Sequence, residues 1–461
     1  MDFKNLTRDE LAELSKALTT NNYAQVGGPE GQTGGAALIP ESLENSLRTL
    51  TFTESHFKLW KNIHKSKAFS TVEEFNTIDS YGPDFMGFQR EGVAGVDTTA
   101  NYQRNHAKIK NINTTRSVSN LMGHLVKATE NPINLEIKNG MTYVLSQTEQ
   151  ALFYGDSSLA ADGNEGVQWD GIIKQAAKEN ELDLRGSDLT DKHLNRATET
   201  VLNNYGFPNA VYMPTETAAV FSENYYPNQR ALMNNNPGSI TAGTVITQFN
   251  TVGGTLDLQN SVLMRRGLKP LDVSQMGINP KAPTPPTVAA AADATAEIPA
   301  GSKFENGTYK YAIVAVNTDG NSAPQISEDV AVTEATNAQG VKLTITNSAV
   351  QLAAPEYFDI YRTERDGSKF YFIGSVGATT SAASGVTEFV DKNEVLPNTG
   401  TAIVGDFSQE SLTFRQLAPM FKLDYALTAP IHRFGIFLYG TPVIYAPKRF
   451  VVIKNIKSHR A

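Results

Sequence analysis

Two carboxylates facing each other across a cleft are what general acid–base cleavage of a glycosidic bond requires. Asp156 in FYGDSS and Asp170 in WDGI are the pair in this chain that could supply them. Both stand in Gly-Asp or Asp-Gly steps, which fix loops after helices. A glycan cleft is normally lined by several tryptophans, and the chain has only Trp60 and Trp169. Turn chemistry is therefore the expected role of both aspartates. The histidines are His56, His64, His106, His124, His193, His432 and His459; no two lie at metal-ligand spacing on one helix, and no H-E-x-x-H occurs. His193 falls in a helical stretch, as a solvated or core residue. With no cysteine there is no thiolate nucleophile, disulfide or Cys-based zinc site. The chain has no G-x-S-x-G elbow and no Walker loop. GGPEGQTGG is Gly-rich but lacks the strand before it and the Lys-Ser/Thr after it. No catalytic, cofactor-binding or metal residue is expected, and no cofactor.

The elements that would have to position such residues read differently along the chain. Its 461 residues exceed one compact core and suggest two or three domains. The charged fraction of 19% is low, which fits a surface spent against other protein. A net charge of −8 without a dense Lys/Arg run argues against a protein that grips nucleic acid. The most basic stretch, Lys448 to Arg460, alternates with Val, Ile and Phe and reads as a terminal strand. No stretch approaches the roughly 20 apolar residues of a membrane span, and the N-terminus lacks a signal pattern. The expectation is a protein made and used inside a cell, or released by a route other than secretion.

Thr7 to Leu18 reads as a short helix with Thr7 and Glu10 as a capping box. The Gly-rich stretch Tyr23 to Leu38 then tethers it, and a helical stretch from Pro40 to Ile63 carries Leu43, Leu47 and Leu50 on one face. STVEEFNTIDSYG and HAKIKNINTTRSVSNL alternate like strands around GPDFMGFQREGVAGVD, predicting extended arms or a projecting hairpin. Asn131, Pro132 and Gly155 bracket a helix from Pro132 to Tyr154, about 35 Å long. WDGIIKQAAKEN and TDKHLNRATETVLNNYG, the latter capped by Thr190, read as helices. NAVYMP reads as a buried strand and PTETAAVFSENYY as a helix start, so Asp170 to Pro270 forms an α+β core.

From Asn279 the composition changes. NPKAPTPPTVAAAADATAEIPAG reads as a Pro/Ala-rich linker. Short strands follow at Thr308–Val316, Glu328–Thr333, Val341–Thr346, Tyr357–Arg362, Phe370–Val376 and Glu388–Val390, the pattern of a small sandwich. This unit closes at DKNEVLPNTGTAIVGD, and HRFGIFLYGTPVIYAPKRFVVIKNI resumes the host as two strands of a buried sheet. A β-domain thus interrupts the host domain, as insertions do where host backbone is exposed.

An enzyme with an attached fibronectin-like module and a structural shell subunit are the two readings. The interrupted host, the arms, the long helix and the missing catalytic set fit the second. GGAALIPESLENSLRTLTF, FKLWKNIHKSKAFSTVEEFN, EQALFYGDSSL with GVQWDGIIK, LTDKHLNRATETVLNNYGFPNAVYMP, YFDIYRT with FVDKNEVLP, and FGIFLYGTPVIYAPKRFVVIKNI stand in this order along nearly the whole chain. In these the sequence resembles the major capsid proteins of tailed bacteriophages with the Hong Kong 97-type fold, most closely those of large contractile-tailed phages of Gram-positive bacteria.

The resemblance implies an α+β Hong Kong 97-type capsid fold with an inserted all-β immunoglobulin-like sandwich. It implies an N-terminal helix and tether over 1–33, open to cleavage near Leu18–Gln25, an N-arm over 34–64, and an extended loop with strands over 65–124. A peripheral domain with a spine helix would occupy 125–168, an axial domain 169–279, the insertion 280–403, and a return to both domains 404–461, with the last strands from Ile431 in the peripheral domain. The implied partners are the chain itself in hexamers and pentamers, other head proteins such as portal, scaffold or decoration protein, and enclosed double-stranded DNA bound without sequence specificity. No membrane is implied. The insertion would project outward as decoration or bridge, in weak contact with cell-surface glycans. The location would be the virion, after assembly in the host cytoplasm. No Lys–Asn crosslink pair is assigned. The alternatives are an encapsulin-like nanocompartment shell and a glycan-acting enzyme.

Overall fold

The computed structural model describes residues 51–82, 88, 90–93, 97–124, 131–161, 165–225, 246–277, 279–299, 301–348, 353–379, 382–426 and 429–458. The expected helix Thr7–Leu18, the Gly-rich tether, the cleavage region Leu18–Gln25 and the leucines at 43, 47 and 50 lie outside the described residues. In chain order the host strands are β1 (His64–Lys67), β2 (Val72–Ser80), β3 (Asn101–Lys108), β4 (Lys110–Ser119), β5 (Glu181–Asp183), β6 (Ala210–Pro214), β7 (Gln248–Thr251) and β8 (Gly254–Ser261). The inserted strands are β9 (Thr287–Glu297), β10 (Gly307–Tyr309), β11 (Tyr311–Asn317), β12 (Gly320–Asn321), β13 (Gln325–Ile326), β14 (Val330–Val332), β15 (Gln339–Thr346), β16 (Tyr357–Thr363), β17 (Phe370–Gly377) and β18 (Val386–Asp391). The host resumes with β19 (Thr399–Gly405), β20 (Leu412–Asp424), β21 (Ile431–Ile444) and β22 (Phe450–Lys457).

The long helix forms where its caps place it, Pro132–Tyr154, with Asn131 Oδ1 accepting the Ile133 N–H and Gly155 closing the end. It lies across a four-stranded sheet of order β1-β20-β21-β4. Period-two alternation on β21 sends Phe434, Ile436 and Leu438 into the core while Phe437 and Tyr439 pack with Phe421 on the other face. A glycine in a helix interior costs about 1 kcal/mol relative to alanine. Gly140 is there because the helix rests directly on the sheet: a Cβ at that position would lie 2.5 Å from Ile436 Cδ1.

A second, six-stranded sheet has the order β5-β22-β19-β6-β8-β7. β6 is its most enclosed strand, buried at all five positions. Val211 and Met213 join Leu194, Val201 and Phe221 of the helices Asp191–Asn203 and Thr215–Tyr225, while Ala210 and Tyr212 face the core shared with the four-stranded sheet. A strand covered on both faces reads as an unbroken apolar run, which is why NAVYMP was legible.

The inserted unit has one sheet of order β12-β11-β16-β17, with β13 also on β11, and a second of order β18-β15-β9. Tyr311, Ile313 and Ala315 of the first meet Val341, Leu343 and Ile345 of the second in one core. Five of the six strands expected from the sequence are present as single strands; the expected Thr308–Val316 is instead two, β10 paired with β14 in a small sheet of its own and β11 paired with β16.

Several expectations are corrected. Residues 287–297 are not linker but the strand β9, paired with β15 over Thr287–Thr346 to Glu297–Gln339. Alanine carries little strand preference of its own, so the pairing partner, not the local sequence, makes this strand. The Pro-rich part ends at Pro286. TGTAIVG is not the tail of the insertion but β19, between β22 and β6 in the six-stranded sheet. β21 and β22 do not share a sheet: the turn through Pro447–Arg449 sends β21 to the four-stranded sheet and β22 to the six-stranded one, so the last strand does not stay with the long helix. WDGIIKQAAKEN gives only a turn of helix at Ile172–Gln175 and a 3-10 turn at Lys178–Asn180. Gln175 Nε2 donates to the Asp170 and Pro442 carbonyls, and Ala176 and Ala177 are extended. Within the described part of Pro40–Ile63 the helix is likewise short, a 3-10 turn at Glu54–His56 and then Leu59–Asn62.

Candidate functional site

The two aspartates sit together in one loop, as turn residues. Asp170 accepts the Ser157 N–H at 2.8 Å and its hydroxyl at 3.0 Å. Asp156 accepts from the Ser158 N–H at 2.8 Å and pairs with Lys174 at 3.1 Å. Partial burial works against ionisation of Asp156, but the Ser158 hydrogen bonds and the Lys174 ammonium hold its carboxyl below the usual range. A carboxyl held ionised cannot serve as a general acid. Trp169 is buried, donates Nε1–H to the Ala151 carbonyl and packs edge-on to Phe414; it is core, not a sugar platform. His193 Nδ1 accepts the Thr190 N–H at 3.3 Å, completing a capping box in the place usually held by Glu or Gln. Among the described residues no three His, Cys, Asp or Glu side chains gather as metal ligands.

A cleft of about 260 Å³ lies where the insertion meets the host, between Tyr154, Lys174 and Lys454 on one side and Phe372 and Ser375 on the other. Among its charged side chains, Lys174 pairs with Asp156, Lys454 with Glu181 at 2.5 Å and Arg266 with Asp359 at 2.9 Å. Of these three pairs, Arg266–Asp359 crosses from the host to the insertion. Arg266 also lies 3.8 Å over the Phe372 ring and donates to Ser375 Oγ. Arg185 donates to the Asn393 carbonyl at 2.6 Å. Asn455, buried on β22, donates to the Glu394 carbonyl and accepts the Leu396 N–H, both at 2.8 Å. A Cβ on Gly377 would lie 2.8 Å from the Ala160 carbonyl oxygen. The insertion is thus fixed on its host at several separated points.

The remaining surfaces suit contact with protein. β2 and β3 pair over Val72–Lys108 to Ser80–Asn101 as an isolated two-stranded sheet. Such a hairpin is marginal alone; its root is held by Phe75, edge-on to Tyr445 with centroids 5.1 Å apart. Ile78 (54% exposed), Tyr102 (69%), Tyr81 (89%) and Phe88 (91%) stand out into solvent. Large apolar side chains gathered on one projection mark an interaction surface.

The segment just before β1 docks between the two sheets. Leu59 and Ile63 are buried there, Trp60 packs edge-on to Phe414 at 5.0 Å, and Asn62 Nδ2 donates to the Tyr212 hydroxyl at 3.0 Å. Burial pushes that hydroxyl up to about 12. Lys65 donates to the Trp60 carbonyl at 2.7 Å and lies over the Trp60 ring. Glu149 of the long helix accepts three backbone N–H groups of this segment. Burial raises its carboxyl above the ordinary range, against the pull of those N–H groups and of Lys61. Sequence reasoning passed over Glu149, Arg266 and Asn455. For Glu149 a signal existed: a charged residue on the apolar stripe of Val144 and Leu152 needs a partner.

A family model described as SU10 major capsid protein matches residues 17–282. A putative major capsid protein of Enterococcus phage phiEF24C is 32% identical over 437 residues, covering 93% of this chain and 92% of that one. The major capsid protein of Staphylococcus phage K is 30% identical over 442 residues, with the same coverage on both sides. Among solved structures, the capsid of a native GTA particle is similar with a TM-score of 0.48 at 8% identity, over 95% of this chain and all of that one.

Proposed function

The chain belongs to the SU10 major capsid protein family, a structural role, and from that premise we propose that it closes into the icosahedral head of a tailed phage, as hexamers and pentamers enclosing double-stranded DNA. The observation that carries this reading is the alignment with phage capsid proteins over more than nine-tenths of both chains. An overlap that long takes in the insertion as well as the host.

In the Hong Kong 97-type arrangement, the long helix with the four-stranded sheet is the peripheral domain and the six-stranded sheet with its helices is the axial domain. The β2–β3 hairpin is the extended loop that lies over a neighbour; its exposed Tyr81, Phe88 and Tyr102 support that role. The acidic balance of −8 suits a wall that holds DNA without gripping it. A source among large contractile-tailed phages of Gram-positive bacteria is part of this proposal. Portal, scaffold and decoration proteins are the further partners, and the N-terminal segment is removed near Leu18–Gln25 during maturation. Mass spectrometry of mature particles that found an intact start at Met1 or Asp2 would rule out that cleavage.

The insertion is immunoglobulin-like and projects outward, as decoration or as a bridge between subunits, with weak glycan contact. Its two-sheet antiparallel core supports the first part of that reading. Replacing residues 279–398 with a short Gly-Ser link tests the rest: unchanged particle stability and unchanged host adsorption would remove both roles. For the shell itself the test is negative-stain electron microscopy with light scattering on the purified chain. Closed shells or free hexamers and pentamers are expected; a monomer at every concentration, also with the phage's other head proteins present, would overturn the reading.

A further inference from the structure

The helix Leu59–Asn62 is a single turn, too short to hold itself in water. Its first amides are the orphan donors of any helix start, and no side chain of its own N-cap, Lys58, bonds them. They are taken up instead by one side chain far away in sequence. Glu149 Oε1 accepts the N–H of Lys58 at 3.0 Å and of Leu59 at 2.9 Å, and Oε2 accepts that of Trp60 at 2.7 Å. Glu149 is 0% exposed. Among the described residues these three amides are its hydrogen-bond partners; Lys61 and Lys65 act on it only through their charge.

Such a carboxyl is satisfied only while the segment is docked. If residues 58–63 leave, all three amides and both carboxyl oxygens lose their partners together, so the joint opens as a unit rather than fraying. The hydrogen-bond ladders of the sheets do not include it, although its Leu59 and Ile63 lie in the core the two sheets share. The segment belongs to no strand, and the first ladder contact after it is His64 of β1 with Thr413 of β20. We propose that Glu149 is a latch: it holds residues 58–63 in the angle between the two sheets, and its opening releases that segment without melting either sheet. The latch concerns the subunit alone and does not rest on the shell reading.

Amide hydrogen exchange of the full, unassembled chain tests it. In the wild type the peptide covering 58–63 is expected to be protected. Glu149→Gln places an amide N–H₂ against at least one backbone N–H, and should cut protection in that peptide by tenfold or more while peptides from β21 and β22 keep theirs. Lys58→Pro removes one of the three donors from the arm side and leaves Glu149 intact; a smaller loss confined to the same peptide is expected. Unchanged protection in both variants, or an equal loss across β21 and β22, would overturn the latch, since Glu149 would then be either idle or ordinary core. If Glu149→Gln does not fold, Lys58→Pro decides by the same two readouts.

Discussion

Substituting Gly140 by alanine sets two effects of known size against each other. In an isolated helix the change is favourable by about 1 kcal/mol, through propensity and a less flexible unfolded chain. In this protein the new methyl would lie 2.5 Å from Ile436 Cδ1, with Arg116 Cγ and Thr114 Cγ2 at 3.5 Å. Ordinary carbon contacts lie at about 3.5–4.0 Å, so only the Ile436 contact is an overlap, of roughly 1 Å. Relieving it by moving helix or rotamer costs about 1–3 kcal/mol in a packed core. The net expectation for Gly140→Ala is a loss of ~0–2 kcal/mol. Ile436→Val deletes the offending Cδ1 and by itself costs about 0.5–1.5 kcal/mol. In that background the same Gly140→Ala change meets only ordinary contacts and should stabilise by ~1 kcal/mol. The sign of the helix substitution therefore reverses with the sheet residue. Urea unfolding of the four members of the cycle, at a fixed concentration below assembly, measures it. Gly140→Ala stabilising the wild type, or shifting both backgrounds equally, would refute the idea that the helix rests on Ile436.

Arg362 is 1% exposed and pairs with Asp391 at 2.6 Å, so Arg362→Met leaves a buried carboxylate without its cation and should cost about 3–5 kcal/mol, seen as earlier thermal unfolding of the insertion. Tyr102→Ser and Phe88→Ser lie on exposed positions and should leave the subunit's melting temperature unchanged while raising the concentration needed for assembly, read by light scattering; equal assembly would clear the hairpin of a contact role. The Glu149 carboxyl is raised in the folded state by burial, among Lys61, Lys65 and Tyr212. A raised carboxyl contributes stability that is full below its unfolded value and fades as pH rises through the folded one. Global stability should therefore fall at this group as pH rises through that value, read by urea unfolding at stepped pH, while at the latch itself protonation puts a hydrogen among three N–H donors and should speed exchange at 58–63.

What the sequence made legible was what local chemistry decides. The caps Asn131 and Thr190 depend on neighbours within a few residues, and the hairpin strands, the apolar run NAVYMP and the Gly-Asp and Asp-Gly steps at Asp156 and Asp170 carry their signal in local composition. What it concealed depends on distant neighbours. β9 is a strand because β15 lies beside it. TGTAIVG belongs to the six-stranded sheet because β6 and β22 flank it, and β21 and β22 part company because each finds older strands on a different sheet. Glu149 looks like any helix glutamate until the amides of Lys58, Leu59 and Trp60 arrive from 89 to 91 residues away. Composition also misled in one place: the prolines of 280–286 coloured the reading of the alanines that follow.

The six-stranded sheet is assembled from both sides of the insertion: β5, β6, β7 and β8 precede it, while β19 and β22 follow. On a ribosome the central strand β19 emerges only after the whole inserted unit. Closing a flexible loop of roughly 120 residues rather than one of about 10 costs an extra ~2 kcal/mol of chain entropy. The inserted sandwich removes that penalty if it folds first, because a folded unit holds its two ends at a fixed separation. A domain that looks like an ornament in the finished subunit is then a staple during synthesis, and mutations that slow its folding would delay the completion of a core they never touch.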